Sequence, residues 1–111
     1  MSAIILVITH LPDPASARRL ATSLVENGLA ACVNILAPCH SVYRWRGAVE
    51  QATEIPLLIK TQAGRYPELE AAIRTQHPYE LPEIISFPVG GGLPAYLDWV
   101  GKETEGPWAV C

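Results

Sequence analysis

The residues best suited to chemistry lie in one short stretch, residues 77–85, which reads HPYELPEII. It carries an imidazole (His77), a phenol (Tyr79) and two carboxylates (Glu80 and Glu83) beside two prolines. Each proline fixes its own φ and biases the preceding residue towards extended geometry, so the segment is predicted to be a stiff connector. Polar connectors next to a buried strand often carry binding sites, but some only join a helix to a strand. Both interpretations stay open at this stage.

An imidazole with nearby carboxylates is a ligand set that Cu(II) and Zn(II) accept. We therefore predict His77, Glu80 and Glu83 as metal ligands, with His77 semi-exposed. The competing interpretation is that His77 ends the preceding helix, where a cation is favourable. One nitrogen per chain makes a poor metal site unless symmetry brings several copies together. Cys39 and His40 are neighbours on a predicted strand and point to opposite faces, so they do not chelate one ion.

A second candidate site lies on the central hairpin that the sequence predicts. Tyr43 and Trp45 are two residues apart and share one face of their strand, and Glu54 and Lys60 share a face of the other. With Tyr79, these residues could line a cleft for a small anionic or zwitterionic ligand. The alternative is that the aromatic residues are interface anchors and that Lys60 pairs with Glu54.

Alternating strands and helices must position these candidates. Apolar runs and turn signals predict strands at 3–8, 31–45, 48–61 and 83–89, and helices at 13–28, 67–76 and 93–102. The order βαββαβ with a C-terminal helix predicts one α+β domain over residues 1–111, a ferredoxin-like sandwich whose helices cover one face of an antiparallel sheet. The tail, residues 105–111, is a candidate for a short edge strand.

Two features of this arrangement predict self-association. The first strand is apolar on both faces, and no element is left over to cover the face away from the helices. The hairpin strands, of roughly 15 residues, would span about 50 Å, more than a compact domain of this size. If Trp45 pairs with Ala48, then Pro38 and Pro56 nearly face each other, which predicts a break in the ladder. The tip beyond it, residues 39–54, is predicted to require another chain.

Composition argues against several classes of protein. The net charge is −3 and there is no basic run, which disfavours nucleic-acid binding. No apolar segment is long enough to span a bilayer, and we expect no signal peptide before the first strand. Cys32, Cys39 and Cys111 are odd in number and lack paired spacing. These features favour a reduced, cytoplasmic protein with free thiols and no membrane contact.

The motifs together resemble a known family. The segments SVYRWRG (41–47), IKT (59–61) and HPYELPE (77–83) are similar, in order and spacing, to those of the CutA family of divalent-cation tolerance proteins. The resemblance covers nearly the whole chain, from about residue 5 to residue 99. It implies a ferredoxin-like fold, a homotrimer joined through extended strands, and cytoplasmic residence in bacteria.

The same resemblance implies binding of copper or another divalent cation, and we expect no organic cofactor. The chain departs from some bacterial members at two positions. Ile8 stands where those members carry a cysteine, and Gln76 stands where they carry a second histidine. A high-affinity soft-metal site of that kind is therefore not implied here.

Two functions are consistent with these observations. The first is a trimeric, non-catalytic cation-binding protein of the CutA type. The alternative is a trimeric sensor of a small metabolite, resembling nitrogen-regulatory signalling proteins, with its ligand in an intersubunit cleft around Tyr43, Trp45, Lys60 and Glu83. An enzyme of the acylphosphatase kind would need an arginine-bearing phosphate loop after the first strand, where residues 9–13 read THLPD. We therefore expect no catalysis.

Overall fold

A computed structural model describes residues 3–106 of the 111-residue chain. Its elements are β1 (Ile4–Leu11), α1 (Pro14–Glu26), β2 (Cys32–Ile35), β3 (Cys39–Trp45), β4 (Ala48–Gln62), a 3-10 turn (Ala63–Arg65), α2 (Tyr66–Gln76), β5 (Ile84–Pro88) and α3 (Pro94–Glu103). The three predicted helices are present, and the strand predicted at 31–45 is divided into β2 and β3. The predicted tail strand and Cys111 lie, from residue 107 onward, outside the described residues.

The strands form an open antiparallel sheet in the order β2-β4-β1-β5, with β3 pairing to the remaining length of β4. The apolar strand β1 lies between β4 and β5, where both of its edges are hydrogen-bonded. This is a mixed α and β architecture, as the order of apolar runs predicts. None of the helices within residues 3–106 is long and apolar enough to cross a lipid bilayer.

One face of the sheet packs against α1 and α2 to form the main core. The odd-numbered residues of β1 and β4 point into it, and the largest side chains there are fully buried, among them Val7, Leu11, Leu57 and Ile59 from the sheet and Leu20, Leu24, Leu69 and Ile73 from the helices. Helix α1 begins as predicted, because Asp13 accepts a hydrogen bond of 2.8 Å from the Ser16 backbone N–H. It ends before Gly28, whose φ of +68° suits a glycine.

The C-terminal helix α3 packs against the other face of the sheet. Val100 is buried with Ile4 and Ala31 in a separate apolar cluster. Beside them, the Gln62 side chain donates hydrogen bonds of 3.0 Å to the Gly101 carbonyl and 2.9 Å to the Thr104 hydroxyl. The expectation that no element of the chain covers this face is therefore wrong at one end, because α3 returns across the sheet there.

The rest of that second face is not covered by any element within residues 3–106, and we call it the open face. It consists of the side chains of Leu6, Ile8, Leu58, Ile85 and Phe87, which the strand register places side by side. Ile85 is 44% exposed and Phe87 is 45% exposed. The other three side chains are only half-buried, although they occupy central strands. A contiguous apolar surface of this kind is typical of an interaction site.

The predicted break in the hairpin ladder is present. The β3–β4 ladder ends at the pair Cys39–Glu54, and the β2–β4 ladder begins at the pair Ile35–Leu57. Three residues of one strand therefore lie opposite two of the other, which is a bulge at the two prolines. The tip beyond it extends from the body, and the longest dimension of the molecule is 47 Å.

Candidate functional site: the cleft at the hairpin tip

The candidate site is a cleft between the hairpin tip and the connector, residues 77–83. The β3–β4 register places Tyr43 and Trp45 on the same face as Glu54. Against this face lies a cavity of about 420 Å³, which we call the tip cleft. Its lining residues are Tyr43, Trp45, Ala52, Tyr79, Glu80 and Leu81. A second hollow continues along the same face past Glu54 and Glu83.

Tyr79 joins the connector to the hairpin. Its hydroxyl donates a hydrogen bond of 2.9 Å to Glu54 Oε2. Burial, together with this bond and the Glu54 charge, raises the pKa of the Tyr79 phenol well above its ordinary value. The phenol is therefore a neutral donor at physiological pH. Of the predicted cleft residues, the structure thus brings together Tyr43, Trp45, Glu54 and Tyr79.

His77 fixes the start of the connector through hydrogen bonds of its side chain. Its side chain is buried, with the residue 8% exposed, so the expectation of a semi-exposed imidazole is wrong. Nε2 donates a hydrogen bond of 2.6 Å to the His10 carbonyl, and Nδ1 accepts one of 3.2 Å from the Tyr79 backbone N–H. The ring is therefore a neutral tautomer with both nitrogens engaged. Burial lowers the pKa of His77, against the opposing effect of the His10 carbonyl.

The other interpretation of His77 agrees with the backbone. His77 is the C-cap of α2, and its N–H donates a hydrogen bond of 2.8 Å to the Ile73 carbonyl. The predicted reason for that position, a positive charge near the helix C-terminus, does not apply to a neutral ring. The imidazole instead links α2, the end of β1 and the connector.

The three predicted metal ligands do not converge. His77 points into the protein, Glu80 accepts a hydrogen bond of 2.7 Å from Arg46, and Glu83 lies 3.4 Å from Nδ1 of His10. They point apart because His77 is at the end of α2 and faces inward, whereas Glu80 and Glu83 are on the exposed side of the connector. Within residues 3–106, no group of three or more His, Cys, Asp and Glu side chains is placed to hold a metal ion.

Lys60 lies outside the tip cleft. It is opposite Cys32 in the sheet, and its ammonium donates a hydrogen bond to Asn34 Oδ1. Lys60 and Glu54 are six residues apart on β4, which corresponds to roughly 20 Å. The suggested pairing of Lys60 with Glu54 is therefore wrong, because residues on one face of a strand share a direction without sharing a position. None of the residues that line the tip cleft carries an ammonium group for an anionic ligand.

Sequence reasoning missed Arg46, which lies in the hairpin turn. Its φ is +50° and that of Gly47 is +82°, the two positive values of a type I′ turn. The turn directs the guanidinium back over the Trp45 ring, 5.1 Å from its centroid, and towards Glu80 Oε1 at 2.7 Å. The adjacent arginine and tryptophan in the sequence were the available signal, but only the turn geometry shows that the two side chains stack.

The chain matches one protein family over most of its length. Residues 5–103 match the family described as CutA1 divalent ion tolerance protein. The chain is 42% identical over 98 residues to the divalent-cation tolerance protein CutA of Thermus thermophilus, covering 88% of this chain and 95% of that protein. It is 43% identical over 94 residues to mouse protein CutA, covering 85% of this chain. The protein belongs to the CutA family, which is named for metal-ion tolerance and not for an enzymatic activity.

Solved structures agree with this assignment. The divalent cation tolerance protein of Thermus thermophilus superposes with a TM-score of 0.90 at 40% identity, covering 92% of this chain and 99% of that one. CutA1 from a psychrotrophic Shewanella species superposes with a TM-score of 0.91 at 40% identity, covering 95% and 98%. Among the relatives compared by sequence, the chain spans only about half the length of the mouse protein, 53%.

Proposed function

We propose that this protein is a non-catalytic, homotrimeric member of the CutA family that binds a divalent cation, copper or a similar ion, in a metal-tolerance response. The observation that carries the proposal is the family match over residues 5–103, together with relatives named divalent-cation tolerance proteins. The strand order, with helices α1 and α2 on one sheet face, supports a ferredoxin-like arrangement.

The proposed ion position is the pair His10 and Glu83. Glu83 is the predicted ligand that lies beside an imidazole, since its carboxylate is 3.4 Å from Nδ1 of His10. An imidazole and a carboxylate suit Cu(II) and Zn(II), although two protein ligands leave most of the coordination sphere to water or to other copies of the chain. In this proposal His77 supports the site indirectly, by fixing the end of β1 that carries His10.

The proposed trimer is supported by the open face. Within residues 3–106, five large apolar side chains on central and edge strands are incompletely covered, and the two-stranded tip extends beyond the main core. An isolated two-stranded ribbon is marginally stable in water, so a partner chain would stabilise it. The number of subunits rests on the family resemblance, whereas the need for a partner rests on the exposed apolar surface.

We also propose cytoplasmic residence, with divalent cations and other copies of the chain as partners and without nucleic acid or membrane contact. Support comes from Cys32 and Cys39, which are free thiols, and from the acidic net charge. Location varies within the family, because the solved Archaeoglobus fulgidus protein is described as periplasmic and an Arabidopsis relative is named chloroplastic. Fractionation of cells followed by immunoblotting tests this part of the proposal.

Cation binding is tested by titration calorimetry with Cu(II) and Zn(II). We expect Glu83→Gln and His10→Gln each to weaken Cu(II) binding by tenfold or more, because each removes a proposed ligand. Glu68→Gln is the matched control, since Glu68 is an exposed glutamate paired with Arg65 on α2. Wild-type affinity in Glu83→Gln would disprove the site, and no binding of either ion below millimolar concentration would disprove the function.

Assembly is tested with two substitutions of equal exposure. Ile85 on the open face and Val25 on α1 are each 44% exposed in the single chain. We expect Ile85→Asp to lower the mass seen in sedimentation velocity, because it buries a charge in the proposed interface. Val25→Asp should leave the assembly intact. An unchanged trimer in Ile85→Asp would refute the open face as the interface.

A further inference from the structure

We propose that the tip cleft binds a monovalent organic cation, of the alkylguanidinium or alkylammonium class. Binding of this kind differs from the tolerance of divalent ions, because metals require converging lone pairs whereas organic cations are recognised by aromatic faces and nearby carboxylates. Three features support the inference: the aromatic walls of the cleft, the sign of its charges, and an arginine that already contacts two of its lining residues.

The walls of the cleft are aromatic. Tyr43 and Trp45 are adjacent on the same face of β3, and Tyr79 lies across from them on the connector. Each ring has a negative face that attracts a cation within about 6 Å of its centroid. Tyr79 is held in place by its hydrogen bond to Glu54, so this wall needs little ordering when a ligand enters.

The charges around the cleft favour a cation. Glu50 is opposite Tyr43 in the hairpin and shares its face, and Glu54, Glu80 and Glu83 line the cleft and the adjoining hollow. Among the contacts described for residues 3–106, Arg46 pairs with Glu80 and His10 lies 3.4 Å from Glu83. The expectation of an anionic or zwitterionic ligand depended on Lys60, which the sheet register places elsewhere.

A guanidinium group already contacts two of the residues that line the tip cleft. Arg46 stacks on Trp45 at 5.1 Å and donates a hydrogen bond of 2.7 Å to Glu80. These are the two interactions that a free alkylguanidinium would make. The contact is displaceable, since the Arg46 and Glu80 side chains are 68% and 72% exposed. We infer that Arg46 is a tethered competitor, which holds Trp45 and Glu80 until a free cation replaces it at these two side chains.

The test is an NMR titration of the full chain with n-butylguanidinium, following the Trp45 indole N–H and the Tyr79 amide. The matched ligand is n-butylurea, which has nearly the same shape and no charge. We expect saturable shifts with the cation and none with the urea at equal concentration. Equal binding of the two compounds, or no binding of either, would overturn the proposal.

The decisive variant is Arg46→Gln. Removing the tethered competitor should tighten n-butylguanidinium binding about fivefold, the value expected for releasing one exposed cation–π contact and ion pair. Arg44→Gln is the control, because Arg44 pairs with Val49 and lies on the opposite face of the same hairpin. Unchanged affinity in Arg46→Gln, or an equal gain in Arg44→Gln, would show that the cleft does not select the cation.

A second variant tests the aromatic wall. Trp45→Leu keeps an apolar side chain and removes the negative ring face, so binding should weaken about fivefold, whereas Trp45→Phe should retain most of it. Equal affinities in the two variants would contradict cation–π recognition. The site is also separable from the proposed metal position, because His10→Gln should weaken Cu(II) binding tenfold or more and leave n-butylguanidinium binding unchanged.

Discussion

Replacing Tyr79 with phenylalanine removes a single hydroxyl and tests how the connector is fastened to the hairpin. That hydroxyl donates a 2.9 Å hydrogen bond to Glu54 across 25 residues of sequence. A hydrogen bond to a charged group contributes about 1.5–3 kcal/mol to stability. Glu54 is half-buried and gains water when the bond is lost, so the low end applies. We expect the free energy of unfolding to fall by about 1.5 kcal/mol, and Tm by roughly 6–8 °C.

The assay is urea denaturation at fixed protomer concentration, because any self-association contributes to the measured stability. The control is Tyr66→Phe. Tyr66 donates a hydrogen bond of the same length, 2.9 Å, to Glu70, but within one turn of α2, where such pairs contribute about 0.2–0.5 kcal/mol. A double-mutant cycle with Glu54→Ala, which removes the acceptor, should give a coupling energy of about 1 kcal/mol or more. Additive effects of the two substitutions would refute the fastening role.

Two further predictions concern pH and backbone geometry. The pKa of His77 is lower in the folded state than its ordinary value of about 6.5, so its contribution is complete above pH ~6.5 and is lost as the pH falls through the folded pKa. His77→Gln should therefore lose less stability than wild type between pH 7.5 and pH 5 in urea titrations; an identical loss would contradict the neutral ring. Gly28→Ala should lower the free energy of unfolding by about 1 kcal/mol, because Gly28 has a φ of +68°. Gly90→Ala is the control, since an added Cβ at Gly90 enters open space and should leave the stability unchanged in the same urea titration. Equal costs in the two variants would disprove the backbone explanation.

Local sequence signals predicted the elements and the interruption of the hairpin. Asp13 starts α1 and Gly28 follows its end because capping depends on a few adjacent residues. The break in the ladder followed from Pro38 and Pro56, since proline lacks the N–H that a regular ladder requires. The pairing of Trp45 with Ala48 was also predictable, because a two-residue turn fixes the register.

The predictions that failed concerned where a side chain or helix lies relative to distant parts of the chain. His77 was expected to face a metal, but it turns inward to the His10 carbonyl, which is 67 residues away in sequence. The pairing of Lys60 with Glu54 was suggested because they share a face of one strand, but a shared face does not give a shared position along the strand. The cover that α3 provides over Ile4 was not predicted, because an apolar helix stripe does not specify which sheet face it contacts.

The helices, the strands, the register of the hairpin tip and the family of this protein can be read from the sequence, because each depends on neighbouring residues or on motifs in a fixed order. What the tip cleft offers to a ligand depends instead on the packing of distant segments. The connector and the turn are distant in sequence, and their packing sets Tyr79 against Glu54 and Arg46 over Trp45. The charge and shape of the cleft arise from that packing, since side-chain direction in space depends on contacts that no local pattern encodes.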